Sequence, residues 1–84
     1  MLYFTRFIEV FDNKTEQLIF KIIINKDLKE LRKIINFDKD DDEGLGIYEL
    51  NQIQLEKLGF FKSKNHFDFS YYLSAEFYNS EFKL

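Results

Sequence analysis

The sequence predicts an α+β domain: a mainly antiparallel sheet of about four strands with two helices on one face. Three observations support this. Stretches rich in β-branched and aromatic residues lie at both ends of the chain, two short segments between them carry helical spacing with cap residues, and no proline interrupts either kind. The resulting element order is β-β-α-β-α-β.

The first strand is expected over Leu2 to Phe11 and the second over Leu18 to Ile24. They join through Asp12-Asn13-Lys14-Thr15, whose Asp and Asn tolerate turn conformations, so the pair reads as a β-hairpin. In the second strand Leu18, Phe20, Ile22 and Ile24 share one face, while Ile19, Lys21, Ile23 and Asn25 share the other. That second face is half apolar, which predicts a central strand.

A helix is expected from Asp27 as N-cap, with Glu30 three residues on in position to reach back to the cap amide. Leu28, Leu31, Ile34 and Ile35 form its apolar stripe, and it should end near Asn36. A short strand over Ile47 to Leu50 follows. Asn51 and Gln54 repeat the cap spacing, Ile53 and Leu58 share a face with Leu55 beside them, and Gly59 suits the left-handed position past a helix end. Finally Phe67, Phe69, Tyr71, Leu73, Ala75 and Phe77 alternate with Asp68, Ser70, Tyr72, Ser74, Glu76 and Tyr78. A period of two with one apolar face predicts a long strand, entered through a turn around Asp68 to Ser70. Tyr72 and Tyr78 turn away from the apolar face, either to pack under a loop or to line a partner site.

With 84 residues, 45% apolar and 19% aromatic, the chain should form one domain with a packed core. It contains no cysteine, so disulfides and thiolate metal sites are excluded. The run from Leu18 to Ile24 is broken by Lys21 and is too short to span a bilayer. Arg6 and Glu9 interrupt the apolar opening stretch, which does not read as a signal peptide. A cytoplasmic protein without membrane contact is expected.

Charge is concentrated in residues 38–49. Asp38, Asp40, Asp41, Asp42, Glu43 and Glu49 are offset only by Lys39, giving −5 in a chain whose net charge is −3. The remainder therefore sums to +2, and the negative field comes from one connection. Such a localised field points to a basic partner or a cation. Gly44 and Gly46 permit an adaptable backbone, and Tyr48 supplies an amphipathic anchor beside the carboxylates. The alternative is a solvated loop that maintains solubility.

The same segment invites a calcium reading. Counting Asp38 as position one places Asp40 at three, Asp42 at five, Leu45 at eight and Glu49 at twelve, an EF-hand spacing. Position six, normally glycine, is Glu43, and Gly44 comes one place late. A left-handed residue other than glycine costs about 1 kcal/mol or more there.

Support for catalysis is thin. The one histidine, His66, sits in the polar connection Lys62-Ser63-Lys64-Asn65-His66, and no nucleophile motif, phosphate loop or zinc spacing accompanies it. Alternating aromatics near residue 70 could suggest base stacking, but the net negative charge opposes a phosphate backbone. The chain therefore reads as non-catalytic, with no cofactor, no metal and no direct nucleic-acid partner.

Three segments carry a family resemblance: Arg6-Phe7-Ile8-Glu9-Val10-Phe11-Asp12-Asn13-Lys14-Thr15, the pair Asp41-Asp42 before Tyr48-Glu49-Leu50, and Phe67-Asp68-Phe69-Ser70-Tyr71-Tyr72-Leu73. Together they resemble a family of small bacterial domains of unknown function whose members look like immunity proteins of polymorphic toxin and contact-dependent growth inhibition systems. The resemblance implies a toxin-binding protein and carries no established catalytic residues to transfer. A toxin domain, a basic nuclease, is the expected partner. The expected contact set is Asp38, Asp40, Asp41, Asp42, Glu43, Tyr48, Glu49 and Tyr72.

Overall fold

The computed structural model describes residues 2–60 and 68–79. Its elements are β1 (Leu2–Asp12), β2 (Leu18–Ile24), α1 (Leu28–Arg32), β3 (Tyr48–Glu49), α2 (Gln52–Lys57) and β4 (Phe69–Asn79). The expected α+β order is therefore present. The four strands form one antiparallel sheet in the order β2-β1-β4-β3.

Alternation decides the faces. Ile8 pairs with Ile22 on one side and Leu73 on the other, and Val10 pairs with Phe20 and Tyr71. Directly opposed residues share a face, so the even positions of β1 and the odd positions of β4 form one apolar surface. Leu31 and Ile35 from α1 and the turn after it, with Leu50, Leu55 and Leu58, close over that surface. Ile8, Val10, Leu31 and Leu73 are fully buried. At about 1.5–3 kcal/mol per buried aliphatic side chain, this small cluster supplies much of the driving force.

β2 lies at the edge of the sheet, against the expectation of a central strand. Its second apolar face is not covered: Ile19 is 45% exposed and Ile23 is 61% exposed. Apolar residues on both faces signal two-sided burial only when a neighbour and a second layer supply it. Near the hairpin end a bulge also breaks the expected alternation, since Val10 pairs with Phe20 but Phe11 pairs with Leu18. Ile22 and Ile24 keep their place against the core.

The helices are short, and their caps explain where they start. The Asp27 carboxylate accepts from the Glu30 amide at 2.8 Å, while Glu30 pairs with Lys26 at 3.7 Å. α1 ends at Arg32, four residues before the expected stop. Lys33 and Ile34 donate to carbonyls three residues back, tightening the chain into a turn that still buries Ile35. In α2 the reciprocal capping box is complete: the Gln54 amide donates to Asn51, and the Asn51 amide donates to Gln54. Gly59 takes φ +97 beyond the helix, as expected. Ile53 departs from expectation, because Leu55 and Leu58 face the core and leave it 64% exposed.

Candidate functional site

Two features position the acidic segment: the turn after α1, which sets its start, and β3, which sets its end against β4. Between them the chain makes two successive turns, with the Asp41 amide donating to the Asp38 carbonyl at 3.0 Å and the Gly44 amide to the Asp41 carbonyl at 3.1 Å. Gly44 has φ +63, and a Cβ there would lie 2.9 Å from Cζ of Phe37. Glycine is required by conformation and by space. The left-handed residue is thus Gly44 itself, one place later than an EF-hand would put it.

Asp41 organises this loop. Its Oδ1 accepts from the Leu45 amide at 2.8 Å, and its Oδ2 accepts from the Gly46 amide at 2.9 Å and from the Tyr48 hydroxyl. The Tyr48 oxygen in turn accepts from the Asp38 amide at 3.2 Å. The Tyr48 ring stands edge-on to Phe37 with centroids 5.1 Å apart. Tyr48 is consequently half-buried and engaged within the loop. The hydrogen bond from Tyr48, then those from the Gly46 and Leu45 amides, hold the Asp41 carboxyl below its usual range. The same bond raises the Tyr48 hydroxyl, because losing its proton would set two anions together.

Two arginines fix the outer turn through main-chain carbonyls. Arg6, on the core face of β1 and only 9% exposed, donates from Nη2 to the Glu43 carbonyl at 2.6 Å. Arg32, from the last turn of α1, donates to the Asp42 carbonyl. Burial lowers the Arg6 pKa, while Asp41 and Glu43 oppose that shift. The Arg6 guanidinium also lies 4.8 Å from the centre of the Phe4 ring, and its Nε has no hydrogen-bond partner. Neither arginine hydrogen bond uses a loop carboxylate. Asp38, Asp40, Asp42, Glu43 and Glu49 stay exposed. Among the described residues no three acidic or histidine side chains gather where they could hold a metal ion.

The expected contact residues divide between the two faces of the sheet. Tyr48 is opposite Leu73 and belongs to the core face, whereas Glu49 is opposite Tyr72 and belongs to the open face with Glu9. Tyr72 packs edge-on against Phe11, with centroids 5.6 Å apart. It is half-buried with one ring neighbour, so packing and exposure coexist at this position. Tyr78 lies in β4 opposite Tyr3, but its side chain falls outside the described residues. So do Phe67, His66 and the connection before it.

Arg6 and Arg32 had no signal that tied them to the acidic segment. Their roles depend on a β1 position above the core and on where α1 stops. Only the segment's own excess of negative charge could have hinted that cations elsewhere would fold onto it.

A family model described as a domain of unknown function (DUF7683) matches residues 5–74. The match runs from within β1 to the middle of β4, including the whole acidic loop, and the chain belongs to that family. No curated protein and no solved structure matches the chain. No helix among the described residues is long and apolar enough to cross a membrane.

Proposed function

We propose that this protein is a non-catalytic immunity protein that binds a cognate bacterial toxin domain, a basic nuclease, in the cytoplasm and blocks its substrate site. One observation supports this reading above the others. Asp38, Asp40, Asp42 and Glu43 are exposed on a loop whose backbone is already set by Asp41, Gly44 and two arginines. Charges held on an ordered loop lose little conformational entropy on binding. They accelerate encounter with a basic surface and imitate the charge of a nucleic-acid backbone. Asp41 and Tyr48 support the contact from within by keeping the loop in shape.

The calcium reading has weaker support. The carboxylate that organises the loop, Asp41, is not at a ligand position in the EF-hand count, and its oxygens are taken by two amides and a hydroxyl.

The test leaves Asp41 intact. A variant carrying Asp38→Asn, Asp40→Asn, Asp42→Asn and Glu43→Gln should keep its fold, lose protection of cells against the toxin encoded beside it, and associate at least about tenfold more slowly at low salt. Full protection by this variant would overturn the acidic-loop mechanism, and a parent protein that gives no protection would overturn the immunity reading.

A further inference from the structure

On the open face of the sheet, away from the helices, a cleft of about 420 Å³ lies between the β1–β2 hairpin and the residue that leads into β3. Phe11 and Tyr72 line it, their rings meeting edge to face. Its carboxylate-bearing lining includes Glu9 and Glu16, and Ile47, 71% exposed, forms the opposite rim. Glu9, Tyr72 and Glu49 stand in one row across three strands, which places a carboxylate on each side of the tyrosine.

The hairpin rim is anchored. The Asn13 amide donates to the Asp68 carbonyl at 3.0 Å, and the Ser70 hydroxyl donates to the Asn13 side chain. Asp12 caps the turn by accepting from the amides of Lys14 and Thr15. Glu16 is held at φ +60, a conformation uncommon for a residue other than glycine or asparagine.

Among the described residues no cation forms an ion pair with Glu9, Glu16 or Glu49. Lys21 is opposite Glu9 in the ladder, but its ammonium goes to Glu76, 5.2 Å from the centre of the Phe7 ring. A cleft with two aromatic walls and unpaired carboxylates matches a flat cation. A guanidinium stacks on a ring face and donates to carboxylates from its edge, which a compact ammonium does less well. The volume is ample for one such side chain within the usual range of about 300–1,000 Å³ for binding sites.

We propose that this cleft seats an arginine side chain presented by a protein partner. Tyr72 and Phe11 form the stacking wall, and Glu9 and Glu16 neutralise the charge. The proposal rests on the reading of a basic protein partner, and places its anchoring residue on a different surface from the acidic loop. The loop's exit at Ile47 forms part of the cleft's rim, so one partner can span both.

The experiment titrates isotope-labelled full-length protein with Nα-acetyl-arginine methylamide and follows backbone amide shifts. Saturable shifts at Phe11, Ser70 and Tyr72 are expected, with Kd about 1–10 mM for so small a probe. The citrulline analogue, of nearly the same shape without the charge, should produce none. The double variant Glu9→Gln, Glu16→Gln should weaken binding about tenfold or more with an otherwise unchanged spectrum. Asp40→Asn with Asp42→Asn should leave it intact. The proposal is overturned by an absence of saturable shifts, by an equal response to citrulline, by shifts confined to residues 38–46, or by undiminished binding to the double variant. Arginine binding at the cleft in a protein whose parent form gives cells no protection against the neighbouring toxin would preserve the cleft and remove the immunity reading.

Discussion

The acidic loop and the open face of the sheet are both negatively charged, but they are ordered in opposite ways. The loop has almost no apolar interior of its own and takes its shape from hydrogen bonds converging on Asp41 and from the carbonyl contacts of Arg6 and Arg32. The open face inherits its shape from strand register, with Glu9, Tyr72 and Glu49 aligned because their backbones pair. A surface ordered by a few polar contacts is sensitive to single substitutions and to pH. One ordered by a ladder changes only when the sheet does.

Leu31→Ala should have the largest effect. It opens a cavity beneath both surfaces, at the only fully buried side chain of α1, and should cost about 2–5 kcal/mol in urea unfolding. Arg6→Met comes next, at about 1–3 kcal/mol, because the Glu43 carbonyl loses its charged donor. Hydrogen exchange should show the Leu45 and Gly46 amides losing protection while β1–β4 amides keep theirs. Equal loss in the sheet would break the contrast. Gly44→Ala should cost about 1 kcal/mol or more through its positive φ, and its Cβ should displace the Phe37 ring, visible as changed aromatic shifts of Phe37 and Tyr48.

Asp41 tests the pH side. Its folded pKa lies below the unfolded value, so its contribution is present above about pH 4, the ordinary carboxylate pKa, and is lost as pH falls through the lower folded value. Asp41→Asn should lower the melting temperature at pH 7 and flatten its decline on acidification, a smaller effect than the three above. A variant with the parent's acid profile would show that another carboxylate governs the loop.

The sequence revealed the faces of this fold better than its neighbours. Period two from Phe69 to Phe77 and the Asn51–Gln54 spacing each report local geometry, so β4 and α2 were legible. Strand order depends on which backbones meet, and β2 shows the consequence: its apolar second face suggested a centre and the structure puts it at an edge. Within residues 40–43, four acids in a row look alike. Which of them turns inward depends on where the amides of Leu45 and Gly46 and the hydroxyl of Tyr48 lie, and adjacency alone does not encode that. Glu9 and Glu49 are far apart along the chain and become neighbours of Tyr72 only through register, and Glu16 joins them from the turn of the hairpin.

The pairing of β1 with β4 has a kinetic consequence. Arg6 meets Ala75 and Leu2 meets Asn79, so the two central strands are among the most distant segments of the described chain. The hairpin of β1 and β2 can form early from local contacts, but it waits with one side of β1 unpaired until β4 arrives. Loop closure over that span is costly and unrewarded until late, and topologies of this kind fold in about milliseconds to seconds. During that interval Ile8 and Val10 have no second layer, and the apolar edge at Ile19 and Ile23 lies beside an open strand. A nascent chain on the ribosome would be most prone to mispairing just before β4 emerges, and rapid assembly of the centre would be its best protection.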